Sequence, residues 1–227
     1  MPDYRDFDTL KSLTKIRGTL INHTPLRVGT GREAPLEATV DIAVFRVGEV
    51  PCIPGSSLKG VLRTAAETLA RSFGITPHPP WDLPKAEKKG DFCEICGIFG
   101  NQELMSHIKV YDAYPQGEAQ IFVKPGVAID RNFGSVAHGS FFEEELVAPG
   151  CKWNFRVDII NIPVFEESTD KRGKILETLF RMFTTTGLHV GARSTVGSGL
   201  TVLEDVNYAT YILTEKGLVL KKEGRVQ

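Results

Sequence analysis

Residues 53–74 read Ile53-Pro54-Gly55-Ser56-Ser57-Leu58-Lys59-Gly60 and continue as VLRTAAETLARSFG. The Pro-Gly-Ser-Ser start predicts a helix with a serine as N-cap. Leu58, Val61, Leu62, Ala65, Ala66, Leu69, Ala70 and Phe73 recur at three- and four-residue spacing, an apolar stripe of about five turns, and Gly74 stops it. Lys59, Arg63, Glu67 and Arg71 occupy the opposite face. Outward from this helix, residues 14–22 (TKIRGTLIN) alternate as a half-buried strand. A short strand is placed at residues 41–47. Residues 106–114 and 152–160 read as strands, and residues 171–186 as a second helix burying Ile175, Leu176, Leu179, Met182 and Phe183. A glycine-rich turn then leads into the strand LTVLEDV, followed by a short strand, YILTE, and a basic tail. Strand–helix–strand–strand–helix–strand is the order of a ferredoxin-like α+β fold. The length beyond that frame lies in residues 23–53, 75–104 and 115–150.

The chain has 227 residues, 27 Lys+Arg and 28 Asp+Glu, which suits one large domain or two small ones. That balance argues against nucleic-acid binding by bulk charge. No apolar run reaches the roughly 20 residues of a membrane span. The start MPDYRDFDTL does not read as a secretory signal. Four cysteines (Cys52, Cys93, Cys96, Cys151) make no disulfide framework at this length, so a reducing, cytoplasmic setting is expected. No Ser/His/Asp arrangement or HExxH supports a protease.

Lys59 stands in the first turn of its helix, where the macrodipole disfavours a cation by a few tenths of about 1 kcal/mol. A phosphate at that end would reconcile it, with the amides of Ser56 and Ser57 and the Lys59 ammonium converging and Arg63 one turn further on. A capped helix with a solvated lysine accounts for the same residues. Gly187, Gly191, Gly197 and Gly199 surround His189 and Arg193, either as a backbone anion nest or as a helix stop followed by a turn. Cys93-x-x-Cys96 has the spacing of two zinc thiolates, with His78, His107 and Asp91 as nearby further ligands; otherwise it is two buried thiols. A redox pair lacks its βαβ context. Nothing local marks Asp41 as catalytic.

KIRGTLINHTPLRVG, IPGSSLKGVLRTAAETLAR, CEICGIFGN and GARSTVGSGL occur in this order. From about residue 14 to 206 the set resembles the RAMP superfamily of CRISPR-associated proteins. It most resembles the backbone subunits of type III effector complexes (the Cas-seven group, Csm-three-like). The resemblance implies a single domain over residues 1–227 with a modified RRM/ferredoxin-like palm (about 14–74, 105–114 and 151–213). It also implies a Cys-containing insertion (about 75–104) and an inserted β-hairpin thumb (about 115–150). It implies copies stacked head to tail along a crRNA guide, with target RNA and other type III CRISPR effector subunits as partners and no membrane.

RNA contacts then fall to Arg27, Ser56, Ser57, Lys59, Arg63, His189, Arg193, Gly197 and Gly199. Asp41, thirteen residues before Pro54, takes the place of a loop aspartate that in active relatives supports Mg²⁺- or Mn²⁺-dependent cleavage of target RNA. The chain would thus be a metal-dependent endoribonuclease. Cys93, Cys96 and His78 become a structural Zn²⁺ site. Two departures stand out: Arg27 replaces a histidine common in a GLHIGG-like turn, and only two cysteines of the zinc set are clear. The competing readings are a non-catalytic scaffold of the same complex, a metal-independent guide-processing endoribonuclease, and a zinc-dependent interaction module. Under the leading reading Lys59, Arg63 and Arg193 share one palm face. Residues 143–145, Glu166, Glu167 and Asp170 lie away from the RNA.

Overall fold

Alternation in the first periodic segment produces strand β1 (Ser12–Asn22), with Thr14, Ile16, Leu20 and Asn22 buried on one side. The computed structural model describes residues 4–29, 40–82 and 92–226. Beyond β1 the chain makes a two-residue pair, β2 (Arg46–Val47) with β3 (Val50–Pro51), and then helix α1 (Gly55–Ser72). The strand expected at residues 41–47 is thus reduced to β2 and isolated bridges, Ile42 to Glu144 and Val44 to Gly29. A six-residue helix α2 (Glu94–Phe99) follows. Next come β4 (Ile108–Val110), β5 (Ile121–Ile129), β6 (Val136–Val147), β7 (Lys152–Ile160) and helix α3 (Lys171–Thr185). The chain closes with β8 (Leu188–His189), a 3₁₀ turn (Ser194–Val196), β9 (Leu200–Thr214) and β10 (Gly217–Arg225).

The main sheet runs β10-β9-β1-β7-β4, with β8 added beside β9, and its pairings are antiparallel. Its middle order, β9-β1-β7-β4, is the ferredoxin-like arrangement of a split βαβ repeat, compatible with an RRM-like palm. Helix α1 buries Leu58, Leu62, Ala66 and Ala70, a strict four-residue stripe, and each leucine withdrawn from water contributes about 1.5–3 kcal/mol. Val61, Ala65 and Leu69 are only partly buried, and Phe73 is exposed. Helix α3 buries Ile175, Leu176, Leu179, Phe180 and Phe183, the last two edge-on to Phe155 of β7. Met182 only packs against the margin of this core.

Three sequence expectations change. The strand at residues 106–114 shrinks to β4, because the chain leaves the sheet to cross the start of α1. YILTE is the end of β9 rather than a separate strand, carried past a bulge at Asp205, which has φ 50°. The basic tail forms β10 along the β9 edge. The expected thumb stretch does contain a hairpin, β5 with β6. Its outer half exposes Ile129, Phe133, Val136 and Phe141.

Candidate nucleic-acid interface

Local packing explains the Ile-Pro-Gly start of α1. Ile53 exchanges both backbone hydrogen bonds with Ala113, which pulls residues 110–113 across the helix end. An added Cβ at Gly55 would collide with the Val110 carbonyl. The cap is Pro54, which offers no side-chain acceptor, so the expected serine cap is not formed. The Gly55 amide instead donates to Asp112 Oδ1 at 2.7 Å. One carboxylate of the protein therefore already sits at the positive helix end, and the amides of Ser56 and Ser57 gain nothing from Pro54.

At 100° per residue, Ser57, Val61, Thr64 and Thr68 line one side of α1 while Lys59 and Arg63 lie on the other. The Ser57 side, with Leu188, His189 and Gly191, bounds a groove of about 510 Å³. His189 is exposed in it and fixed through Nδ1 to the Ser198 carbonyl at 2.9 Å. Lys59 is half-buried. Burial lowers its pKa and the nearby Arg63 charge lowers it further. Among the described residues it has no ion-pair partner, so it is a cation suited to an incoming anion. Arg63 is committed elsewhere: Nε to Glu67 at 2.9 Å, Nη1 to the Gly100 carbonyl at 2.8 Å, and Nη2 to Cys96 Sγ at 3.8 Å. It ties α1 to the insertion.

Arg27 and Arg193 meet at the foot of the hairpin, around Glu144. Arg27 Nη1 lies 2.6 Å and Arg193 Nε 3.2 Å from Glu144 Oε2, and Glu144 is 1% exposed. Arg193 also stacks over Phe142 at 5.0 Å. Arg27 Nε and Glu144 Oε1 are buried with no hydrogen-bond partner among the described residues. Glu145 holds Arg46 at 2.8 Å, which with the Val44 amide draws its pKa down despite burial. Two expectations are corrected. Residues 143–145 are not a remote acidic face, because Glu144 is the counter-ion of two predicted RNA contacts. Lys59, Arg63 and Arg193 do not form one stripe, because two of them are drawn to different parts of the protein.

The glycine loop is largely internal packing. A Cβ at Gly191 would strike the Arg27 carbonyl, at Gly199 the Val190 carbonyl, and at Gly187 the Thr201 carbonyl. These glycines let the loop close on residues 25–28, where Ala192 donates to Arg27 and Gly199 to Pro25. Gly197 differs: its φ is 85° and no atom lies within 4 Å of its added Cβ. With the exposed turn Ser194–Val196 it presents open backbone.

Asp41 is exposed at the same hairpin foot, and its Oδ2 accepts the Glu143 amide at 2.8 Å. It belongs to no group of three or more metal-ligating side chains among the described residues. A divalent cation there would have one carboxylate from the protein, with water and phosphate supplying the rest.

The insertion does gather such a group: His78, Cys93 and Cys96. Cys93 Sγ and Cys96 Sγ lie 3.5 and 3.7 Å from His78 Nε2. Tetrahedral zinc with bonds of about 2.0–2.3 Å has donor–donor edges of roughly 3.3–3.8 Å; both sulfur–nitrogen edges match, and all three donors lie within 4.8 Å of one another. Cys93 caps α2, its Sγ accepting from the Cys96 amide at 3.5 Å. Asp91 lies outside the described residues. His107 is elsewhere, its Nε2 on Asp6 at 2.9 Å. Cys52 and Cys151 are free thiols whose pKa burial pushes up.

No described helix is long and apolar enough to cross a membrane. The model of the RAMP superfamily matches residues 19–202. No curated protein matches the chain.

Proposed function

Because the chain belongs to the RAMP superfamily, and is thus a CRISPR-associated, RNA-binding type of protein, we propose that it is a crRNA-binding backbone subunit of a type III CRISPR ribonucleoprotein. Copies would stack head to tail with other effector subunits along the guide. The observation that carries this reading is the groove between α1 and the glycine loop. It offers Ser57, the exposed His189 and backbone at Gly191; Lys59 stands at the same helix end on the other side of α1. Phosphates would bind there through hydroxyl, imidazole and backbone groups rather than a basic field, with Lys59 as a separate cation on the other side of the helix start. Arg63 contributes through the insertion. Arg27 and Arg193 contribute through the Glu144 cluster, from which Arg193, one-third exposed, reaches the surface. The hairpin takes the thumb role, and its exposed Phe133 and Phe141 suit insertion between nucleotides.

Asp41 is the residue assigned to target-RNA cleavage. Its carboxylate is oriented by the Glu143 amide, and bound Mg²⁺ or Mn²⁺ would supply charge stabilisation at the scissile phosphate. The separate Cys93, Cys96 and His78 group is assigned to structural zinc. A scaffold without cleavage is the second reading, favoured by the isolation of Asp41 from other metal-ligating groups. The test is target-RNA cleavage by the purified complex. Cuts at regular spacing that vanish in Asp41→Ala, with crRNA retained, support the catalytic assignment. Unchanged Mg²⁺-dependent cuts in Asp41→Ala refute it, and an intact complex without cuts establishes the scaffold. Lys59→Glu is expected to weaken crRNA retention and flatten its salt dependence. Full retention at all salt concentrations would refute a guide contact at this helix end.

A further inference from the structure

The charge cluster at the foot of the hairpin is not balanced. Arg27 and Arg193 share one carboxylate, Glu144, so one positive charge is left over beside a side chain that is 1% exposed. Both cations also crowd one oxygen. Arg27 Nη1 and Arg193 Nε approach Oε2, while Oε1 has no hydrogen-bond partner among the described residues. Neither pair is the two-point fork onto both oxygens by which arginine holds a carboxylate most firmly.

The two arginines are held unequally. Arg27 donates a hydrogen bond to Glu144 at 2.6 Å, and 15% of its side chain is exposed. Arg193 stands off at 3.2 Å with 34% exposed, and Glu144 is its one ion-pair partner among the described residues. Its guanidinium rests over the Phe142 ring. Phe142 and Glu144 are two residues apart on β6 and face the same side, so Arg193 lies along one face of the hairpin strand with a flank open to water.

The backbone of Arg193 is fixed independently of this side-chain pair. Its φ is 61°, an uncommon conformation for a residue with a Cβ, which persists only where the surroundings enforce it. The Arg193 carbonyl accepts the amides of Val196 and Ser198, each at 3.2 Å, and the Ala192 amide donates to the Arg27 carbonyl at 3.0 Å. The guanidinium can therefore change partner while the loop stays in place. Breaking a buried pair is costly when it leaves a charge uncompensated. Release of Arg193 avoids that, because Glu144 keeps Arg27.

We propose that Glu144 is an internal stand-in for a phosphate: it occupies Arg193 in the RNA-free protein and yields it to a backbone phosphate of the guide while retaining Arg27. This rests on the guide-binding reading above and adds to it a competitor built into the fold. A guanidinium makes the same charge-assisted bonds to carboxylate and phosphate, so one partner is exchanged for another. Glu144 thus has two opposed effects: it stabilises the hairpin foot and weakens RNA binding.

The test uses the full chain, a labelled single-stranded oligouridine and fluorescence anisotropy over a salt series, well below Tm. Glu144→Gln is expected to bind about two- to fivefold more tightly, the worth of a partly exposed ion pair. Its lower thermal stability cannot produce tighter binding, so competition is separated from a structural role. Glu143→Gln removes the same charge one residue away, on the other face of β6, and controls for net charge. Arg193→Ala is expected to weaken binding about threefold or more and to shrink the log–log salt slope by about 0.7, the share of one single-strand phosphate. In the Arg193→Ala background, Glu144→Gln should change affinity by less than about 1.5-fold, since the two act as one unit. Unchanged or weaker binding by Glu144→Gln overturns the proposal. So does equal tightening by Glu143→Gln, or tightening that survives Arg193→Ala. In each of these cases the wild-type chain still binds RNA and the guide-binding reading stands. If the wild-type chain retains no oligouridine, that reading fails and the competitor falls with it.

Discussion

Glu144→Gln tests whether the buried charge cluster at the hairpin foot holds that region together. The substitution keeps the shape of the side chain and removes its charge. Glu144 is 1% exposed, and Arg27 Nη1 lies 2.6 Å from its Oε2, with 15% of the Arg27 side chain exposed. Removing one partner of a buried ion pair costs about 3–5 kcal/mol. Two features reduce this. The glutamine oxygen still accepts from Arg27, and Arg193, 34% exposed, regains water. A loss of about 2–3 kcal/mol remains, which for a domain of this size lowers Tm by about 5–10 °C. Urea denaturation of the variant beside Glu143→Gln is the assay. Glu143 engages Asp41 through its backbone amide, so its variant should stay within about 0.5 kcal/mol of wild type. Amide exchange should also rise locally at Ala192, which bonds the Arg27 carbonyl, and at Val147, which bonds Leu26. Equal stabilities of the two variants, or exchange that rises uniformly over the chain, would refute the cluster as the organiser of this region.

His107 is fully buried, and burial holds its pKa below the ordinary 6.5 against the opposing pull of Asp6. Its Nδ1 has no partner among the described residues, as suits a neutral ring that donates through Nε2. Below pH 6.5 the unfolded chain therefore binds the proton more readily. Stability should be full above that pH and fall as pH drops through the folded pKa; denaturation midpoints from pH 7.5 to 5 should show this slope and His107→Gln should flatten it. The purified chain should retain about one zinc by elemental analysis, and chelation or Cys96→Ser should remove it with a drop in Tm. Metal-free protein of unchanged Tm would refute that site. Gly55→Ala should cost about 1–3 kcal/mol through its collision with Val110. Gly60→Ala, in open space on α1, should stabilise by about 0.5–1 kcal/mol while weakening crRNA retention, since Gly60 lines the groove.

Periodicity made the palm legible. β1, β7, α1 and α3 are long, and their apolar spacing matches the face they bury, so the βαββαβ order could be read directly. β10 was not legible, because GLVLKKEGR gains strand character only by pairing with β9. The serine cap was misread for a related reason: Asp112, the carboxylate that receives the first helix amide, is 57 residues from Gly55. Arg63 illustrates the same limit. Its place on the helix face is set by sequence, but its direction is set by Gly100 and Cys96, 37 and 33 residues away. The Cys93 and Cys96 pair was readable from spacing, and folding brings His78, one of three local candidates, beside them.

That dependence on pairing also resolves the near-zero net charge. Counting 27 basic against 28 acidic residues treats every charge as free. Several acids are instead bound to particular cations: Glu144 to Arg27 and Arg193, Glu145 to Arg46, Glu67 to Arg63, and Asp170 to Arg172. These pairs fix the hairpin foot, the insertion and the start of α3, and partners so close exert little field at a distance. Cations outside them, such as Lys59 at the helix start, determine where a polyanion is attracted. A chain can therefore be acidic in sum and still bind RNA locally. The sharper electrostatic variable is which cations lack an internal partner, and reversing Lys59 should matter more to RNA than an equal change in net charge at Glu167.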